Sequence, residues 1–432
     1  MKAHQRRRKR LLKQLGPSSA AILPAASEQV RNRDNLHPFR QSSDFIYLTG
    51  LHEPDAFLVL VPGRQAGASL LFLRPRDPEV ERWDGPMVGL EGAVSDYGAD
   101  EAFAVGRLDE LMPELLEGVQ TLWLPFESEG LMVRAQQWFS VLRCRSRAGV
   151  VPPRCLRDLS ALIHEQRLIK SAAEIRALRR AAEVSAEAHR AAMLAVKPGR
   201  YEYEIEAELL RRMRASNGQP SFLPIVAGGA NACVLHYRAN DCRLRDGELV
   251  LIDAGAELGD AYAGDITRTV PVNGRFTPAQ RAVYEVVLAA QQAAIDASVP
   301  GACFDAPHQA AVTVITEGLV ELGLLSGKPR KLIEKGAYKR FFMHRTGHWL
   351  GLDVHDVGDY KIDGQWRPLQ PGMVTTVEPG LYLGHDRDIP KKYRNIGIRI
   401  EDDVLVTAEG PEVLTGGVPK TVAGIEALMA GE

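Results

Sequence analysis

One pattern occurs twice in the chain, as Gly247-Glu-Leu-Val-Leu-Ile-Asp253-Ala-Gly255 and as Gly372-Met-Val-Thr-Thr-Val-Glu378-Pro-Gly380. In both stretches a carboxylate lies six residues after one glycine and two residues before another. The apolar run before each carboxylate has the length of a buried strand. We interpret the two stretches as equivalent strands of an internal repeat.

A pair of predicted helices precedes each of these strands. Ser171 and Glu174 form the S-x-x-E pattern of a helix start, and Pro198–Gly199 ends that helix. Thr277–Pro278 and Pro300–Gly301 mark the same two points in the second copy. We therefore predict an internal pseudo-twofold duplication, in which both halves present carboxylates to one shared cleft.

The remaining sequence is sufficient for a second domain. The chain has 432 residues, which is long for a single hydrophobic core. Short apolar runs separated by helical stretches indicate a small α/β domain before the repeat, and Pro152–Pro153 indicates the break that follows it. We place the two domains at residues 1–168 and 169–432. In the first domain we predict strands at Ala20–Leu23, Phe45–Leu48, Phe57–Val61, Leu70–Leu73 and Thr121–Leu124.

Composition and charge argue against several classes of partner. Hydrophobic residues make up 45% of the chain and charged residues 25%, and the formal net charge is −2. These values give no reason to expect nucleic acid as a partner. No apolar run reaches the ~18 residues that a membrane span needs. The basic run Arg6–Arg10 is predicted to be the solvated face of an opening helix, because Pro17 and the serines after it interrupt any secretory signal.

The cysteines bear on the compartment. The chain has five, and their spacings match no zinc or redox pattern. We expect reduced thiols in a cytoplasmic protein, with Cys233 and Cys242 buried as structural residues.

Four carboxylates lie in apolar, strand-like surroundings, where an isolated charge is costly. They are Asp253, Asp265, Glu378 and Glu401, two in each repeat. His348 adds an imidazole, and a set of oxygen ligands with one nitrogen suits Mn²⁺ and also Co²⁺, Fe²⁺ or Zn²⁺. Five side chains offer too many ligand atoms for one small ion, so we predict two divalent metal ions that share carboxylates.

Buried ion pairs are the alternative for these carboxylates. Arg268 and Arg399 lie close to them in the sequence and would neutralise them without a metal. The presence of His348 favours the metal site over this alternative.

Six short motifs follow one another in the second domain. They are Leu251-Ile-Asp-Ala-Gly255, Gly264-Asp-Ile-Thr-Arg268, His344…His348, Val354-His-Asp-Val-Gly358, Val377-Glu-Pro-Gly380 and Ile398-Arg-Ile-Glu-Asp402. Their ordered set resembles the creatinase/prolidase family, whose catalytic domain has the pita-bread fold. Phe39-Arg-Gln-Ser-Ser-Asp-Phe-Ile-Tyr-Leu-Thr-Gly50 resembles the signature stretch of the aminopeptidase P branch. The resemblance implies an α/β (α+β) protein, with a creatinase-like α/β domain followed by a pita-bread domain.

The resemblance also implies roles for individual residues. The metal ligands would be Asp253 on one ion, His348 and Glu378 on the other, and Asp265 and Glu401 on both. His236, His344 and His355 would act in catalysis and bind substrate. Tyr382 would bind substrate, and Arg399 would orient Glu401 or a neighbouring carboxylate. Glu378 would in addition carry a proton to the leaving nitrogen.

The implied activity is hydrolysis of the bond between an N-terminal residue and a following proline, by a hydroxide that two metal ions activate. Prolidase, which cleaves Xaa-Pro dipeptides on the same fold, is the alternative, and a metal-free pita-bread binding module is a remote one. The expected partners are peptides with proline second and further copies of the chain, in a homodimer or homotetramer. Trp83 is expected to be a packing residue. The alternative is that it helps to close the cleft of a neighbouring subunit.

Overall fold

In the computed structural model, which describes residues 3–431, the chain divides into two units, one up to Arg167 and one from Leu168. The strands of the first unit are β1 (Ser19–Pro24), β2 (Val30–Asn32), β3 (Asn35–Leu36), β4 (Phe57–Leu60), β5 (Ser69–Leu73), β6 (Glu101–Ala104), β7 (Thr121–Leu124) and β8 (Cys155–Asp158). Within the described residues, they form a six-stranded mixed sheet in the order β6-β5-β4-β1-β7-β8 and a β2-β3 hairpin. Strand β1 is antiparallel to β4 and parallel to β7.

Helices accompany this sheet along the first unit. They are α1 (Ala3–Leu15), α2 (Ser43–Thr49), α3 (Pro78–Asp84), α4 (Gly89–Ser95), α5 (Leu108–Leu115), α6 (Glu129–Cys144) and α7 (Ser160–Leu168). A core forms where α5 and α6 meet the sheet, with Leu108 and Trp138 buried among residues such as Ile22, Phe72 and Leu122. The mixed sheet with its helices is the predicted α/β arrangement.

Two expectations for the first unit are wrong. The segment Phe45–Leu48 lies in helix α2 and not in a strand. Its helical turn is ended by Gly50, which adopts the left-handed conformation (φ 71°) and donates its N–H to the carbonyl of Ile46. In the basic run, Arg8 is buried and not solvated, because its guanidinium donates to three backbone carbonyls.

Two expectations for surface residues also fail. Trp83 is 88% exposed, so it does not pack within its unit. All five cysteines are free thiols, but Cys242 is exposed and Cys233 is half-buried, so neither is fully buried as expected. Within residues 3–431, no helix combines the length and the apolar composition that a membrane crossing requires.

The second unit contains one arrangement twice. Its helices are α8 (Ala172–Ala195), α9 (Glu202–Ala215), α10 (Pro278–Asp296), α11 (Ala306–Glu321), α12 (Pro329–Glu334) and α13 (Val422–Ala430). Its strands are β9 (Gln219–Pro220), β10 (Ile225–Gly228), β11 (Leu249–Ala254), β12 (Ala256–Glu257), β13 (Ile266–Pro271), β14 (Lys361–Ile362), β15 (Gln365–Trp366), β16 (Val374–Val377), β17 (Gly380–Leu383), β18 (Ile396–Arg399), β19 (Asp402–Thr407) and β20 (Gly410–Val413). The pair α8/α9 precedes the sheet β10-β11-β13, and the pair α10/α11 precedes the sheet β16-β19-β20.

The predicted helix starts are present in both copies. The backbone N–H and the hydroxyl of Ser171 donate to the carboxylate of Glu174, at 2.9 and 2.6 Å. In the second copy Thr277 and Gln280 exchange the two hydrogen bonds of a capping box. Each long helix of the repeat therefore begins where the sequence pattern indicates.

Hydrogen bonds join the strands of the two halves. The N–H of Glu401 donates to the carbonyl of Thr267 at 3.0 Å, and the hydroxyl of Thr269 donates to the carbonyl of Arg399 at 3.0 Å. These bonds bring β18 and Glu401 next to β13. Carboxylates from both halves consequently lie in one place.

Candidate metal centre and substrate cleft

A cavity of about 570 Å³ contains the predicted site. Its lining includes nine of the ten residues singled out from the sequence, which are Asp253, Asp265, His348, Glu378, Glu401, His236, His344, His355 and Arg399. The tenth residue, Tyr382, is buried behind the cavity wall. The cavity thus brings together the predicted carboxylates and imidazoles with the guanidinium of Arg399, from both halves of the repeat.

The ends of strands position the carboxylates. Asp253 lies near the end of β11, between Ile225 of β10 and Thr267 of β13. Asp265 and Glu401 immediately precede β13 and β19, and Glu378 immediately follows β16. Because both faces of these strands are buried, their ends place acidic side chains in surroundings with little water.

The ligand atoms of Asp265, His348 and Glu401 all lie within 4.8 Å of one another. The Nε2 atom of His348 is 3.5 Å from Asp265 and 3.6 Å from Glu378. The other ring nitrogen, Nδ1, lies 3.0 Å from the carbonyl oxygen of Trp349. That carbonyl can only accept, so it fixes the proton on Nδ1 and leaves Nε2 free to bind a metal.

The carboxylates disfavour one another's charges. Burial raises the pKa of Glu378 to about 7 and that of Asp265 to about 6. Burial, with the charges of Asp265 and Glu378, raises the pKa of Glu401 well above its usual range. Burial alone would lower the pKa of His348, but its interactions with Asp265 and Glu378 raise it to about 9. When its acids are ionised, the cluster therefore carries more negative charge than the positive groups beside it can balance.

Two buried oxygens of the cluster lack a partner within the described part of the chain. They are Oδ1 of Asp253 and Oδ1 of Asp265. A divalent cation would satisfy these oxygens and supply the missing positive charge. The residues present therefore fit the metal ions that the sequence analysis predicts.

Arg399 is a buried cation beside the carboxylates. Its guanidinium donates to Asp253 at 2.5 Å, to the hydroxyl of Thr267 at 3.1 Å and to the hydroxyl of Tyr382 at 3.1 Å. Of the two orientations expected, Arg399 thus holds a neighbouring carboxylate, while Glu401 accepts from Thr267 at 2.6 Å. Arg268 pairs with Asp402 instead, so the pairing expected with Arg268 or Arg399 is found for one of the four predicted carboxylate ligands, Asp253.

His344 is held in a neutral form. Burial and the charge of Arg399 lower its pKa to about 3. Its Nδ1 lies 2.7 Å from the carbonyl of Arg345, so Nδ1 carries the proton, and Nε2 accepts from the hydroxyl of Tyr382 at 2.8 Å. Both ring nitrogens of His344 are therefore occupied. The hydroxyl of Tyr382 connects Arg399 to His344, and its role in binding substrate stays a prediction.

His236 and His355 face the cavity with exposed rings. The ring of His355 lies edge-on to that of His348, with 4.3 Å between their centroids. Burial and the charge of His348 lower the pKa of His355. A neutral imidazole at this position can donate one hydrogen bond to a substrate oxygen.

One wall of the cavity is aromatic and was not predicted from the sequence. Phe304 lies 4.6 Å from Tyr360 and 6.2 Å from Trp366 between ring centroids, and all three line the cavity. Trp366 lies on the short β14-β15 hairpin. In the sequence Trp366 lies between the motifs of His355 and Glu378, and this position could have indicated a role in the site. The wall gives the cleft an apolar side suited to a pyrrolidine ring.

Comparison with known families agrees with this geometry. Residues 176–408 match metallopeptidase family M24, and residues 4–123 match the N-terminal domain of aminopeptidase P. The chain belongs to metallopeptidase family M24. The first match covers the whole cavity lining, which runs from residue 222 to residue 401.

Relatives in the M24 family are similar over almost their full length. The chain is 45% identical to Xaa-Pro aminopeptidase from Haemophilus influenzae over 98% of this chain and 96% of that protein. The structure of Pseudomonas aeruginosa aminopeptidase PepP superposes with a TM-score of 0.97 at 53% identity, covering 99% of this chain and 97% of the other. Escherichia coli aminopeptidase P with the inhibitor Pro-Leu gives 0.96 at 44% identity, covering 99% and 98%. These similarities establish the predicted fold, an N-terminal domain followed by a pita-bread domain.

Proposed function

We propose that this protein is a divalent-metal-dependent aminopeptidase that removes an N-terminal residue preceding proline. The observation that carries the proposal is one cavity containing four carboxylates and an imidazole, in an M24 chain similar over its whole length to Xaa-Pro aminopeptidases. The relatives favour this activity over prolidase, which would act on dipeptides alone.

The metal site is proposed to hold two ions, and Mn²⁺ is our first choice. Asp253 would bind one ion and His348 and Glu378 the other, with Asp265 and Glu401 shared. The hard oxygen ligands and the single nitrogen support this assignment. When bound, such ions lower the pKa of water and polarise a carbonyl group.

The chain's own residues would move the protons. Glu378 lies within 3.6 Å of His348 and lines the cavity, so its carboxylate can accept a proton from water and release it to the leaving nitrogen. Proline leaves as a secondary amine whose nitrogen had no hydrogen in the peptide, and it needs that proton.

The histidines would bind the substrate. His355 faces the cavity and would donate to the carbonyl oxygen as negative charge develops there. His344 has both nitrogens occupied, so it would shape the proline side of the cleft without donating a proton. His236 would complete that side.

Cleavage of two peptides tests the proposal. Metal-stripped protein is given Gly-Pro or Gly-Pro-Pro, before and after addition of Mn²⁺. Restored cleavage of the longer peptide is the expected result, while cleavage of the dipeptide alone would indicate prolidase. No cleavage with any divalent ion would refute the proposal.

A pair of matched variants tests the metal ligands. Asp265→Asn should lose bound metal and activity, because it removes a charged, buried ligand. Asp260→Asn is the control, since Asp260 lies in an exposed turn of the same segment. Equal metal content in the two variants would contradict the ligand assignment.

We further propose a cytoplasmic homo-oligomer. The five unpaired cysteines are typical of a reducing compartment. The exposed indole of Trp83 offers an apolar contact for a second copy, in a dimer or tetramer. Sedimentation of the protein and of Trp83→Ser tests the assembly, and a monomeric unaltered protein would refute it.

A further inference from the structure

The ring of His236 depends on its backbone for its position. His236 lies on the segment 228–242, named here the His236 loop, which also contributes Leu235 and Arg238 to the cavity. The ring is exposed, and it makes no hydrogen bond within the part of the chain that the structure describes. Whatever holds the His236 loop therefore decides where this ring lies.

One buried carboxylate holds the loop at four points. Glu202, the first residue of α9, is fully buried. Its Oε1 accepts from the N–H of Gly228 at 2.7 Å and the amide of Asn231 at 3.0 Å. Its Oε2 accepts from the hydroxyl of Tyr237 at 2.8 Å and the N–H of Cys242 at 2.9 Å. The four donors lie at the start, the middle and the end of the loop.

The arrangement requires a carboxylate in particular. Both oxygens of Glu202 act as acceptors, and two of the four donors are backbone N–H groups, which cannot reverse their roles. A glutamine would turn an amide N–H₂ towards one of these N–H groups. An amide of the same shape therefore cannot replace the carboxylate.

The opposite side of the loop is also closely packed. Gly397 of β18 lies against Ala232, and a Cβ at position 397 would overlap the carbonyl oxygen of Ala232. The loop is thus held between α9 and the strand that carries Arg399. Near the end of the loop, Asn240 donates separately to Glu206 of α9 and to the carbonyl of Pro224, at 3.0 and 2.9 Å.

We propose that Glu202 is a positioning residue, which fixes the His236 loop so that the ring of His236 faces the substrate. The inference rests on the proposed function. Glu202 touches neither the cavity nor any predicted ligand, so it acts on cleavage only through the loop.

A double-mutant cycle tests this role. Glu202→Gln should lower kcat/KM for Gly-Pro-Pro about 10- to 100-fold, as expected when a site residue is displaced by about 1 Å. In a His236→Ala background the same change should alter kcat/KM by less than about twofold, because the ring it positions is gone. Glu208→Gln on the same helix is the matched control and should be unchanged, because Glu208 accepts from Arg211 on the outer face of the helix.

Two further measurements keep the test independent of activity and of full folding. Amide hydrogen exchange should become faster at Gly228 and Cys242 in Glu202→Gln and stay unchanged in Glu208→Gln. Tyr237→Phe removes one of the four hydrogen bonds and should give a smaller loss of kcat/KM in the same direction, even if Glu202→Gln does not fold.

The outcomes separate the two proposals. Equal losses from Glu202→Gln with and without His236, or normal cleavage by Glu202→Gln and Tyr237→Phe, would overturn the positioning role alone. Unchanged exchange at Gly228 and Cys242 would also overturn it. Absence of cleavage by the unaltered, metal-loaded enzyme would overturn the proposed function and this inference with it.

Discussion

Glu378 should make the metal-free protein less stable while being required for activity. In the fold this carboxyl is buried beside other acids, and burial raises its pKa from 4.5 to about 7. The variant Glu378→Gln keeps the shape of the side chain and removes the charge. We expect Glu378→Gln to be inactive and, without metal, more stable than the unaltered protein at pH 8.

The size of the effect follows from the pKa. Each pKa unit corresponds to about 1.4 kcal/mol, so ionised Glu378 costs the fold about 3 kcal/mol. The carboxyl binds its proton more tightly in the fold than in the unfolded chain. The cost is therefore absent below pH 4.5, grows as the pH rises towards 7, and is complete above pH 7.

Thermal unfolding with EDTA, at pH 8 and pH 4.5, measures this difference. At pH 8 the variant should melt about 5–10 °C higher than the unaltered protein, and at pH 4.5 the two should agree. Excess Mn²⁺ should stabilise the unaltered protein and have less effect on the variant, because an ion stabilises only the form that binds it.

A matched control isolates the buried position. Glu412→Gln makes the same substitution in an exposed pair with Arg179, where less than about 0.5 kcal/mol is expected. A metal-free Glu378→Gln protein that is no more stable at pH 8, or whose advantage persists at pH 4.5, would refute the reasoning.

Three further changes have defined outcomes. Lys170→Met removes the partner of Asp356 from a fully buried ion pair and should lower the free energy of unfolding by about 3–5 kcal/mol in urea titrations; a loss below about 1 kcal/mol would contradict this. Burial lowers the pKa of His189 from 6.5 to about 4, so the stability that neutral His189 contributes is present above pH 6.5 and lost as the pH falls to 4. Over that range the free energy of unfolding of His189→Gln should fall by about 3 kcal/mol less than that of the unaltered protein. An equal fall in both proteins would contradict this. Tyr382→Phe removes the hydrogen bond to His344 and should lower kcat about tenfold with bound metal unchanged, whereas metal loss would indicate a different role.

The sequence was informative where chemistry and periodicity agreed. A buried acid at the end of an apolar run, as at Asp253 and Glu378, costs folding free energy unless a positive charge lies beside it. The structure brings both acids into one cavity. Local sequence patterns predicted secondary structure less well where contacts between distant residues determine it. Phe45–Leu48 is apolar enough for a strand, but the segment is helical and the left-handed turn at Gly50 ends that helix.

Contacts between distant residues could not be predicted from the sequence. Glu202 lies on a helix start, where an acid is favourable without any partner. Its attachment to Tyr237 and Cys242 depends on how the chain returns to α9. Arg399 likewise gave no sign of whether it would contact Asp253 or Glu401.

The hydrogen bond from Glu401 to Thr267 has a consequence for biosynthesis. The proposed ligands come from both repeats, so a nascent chain that ends before β18 has only part of the set. Its acids would repel one another without the charge that offsets them. The complete ligand set can form only after the ribosome has released the second repeat and β18 has joined β13. We therefore expect the proposed metal site to form late, after the second repeat has folded.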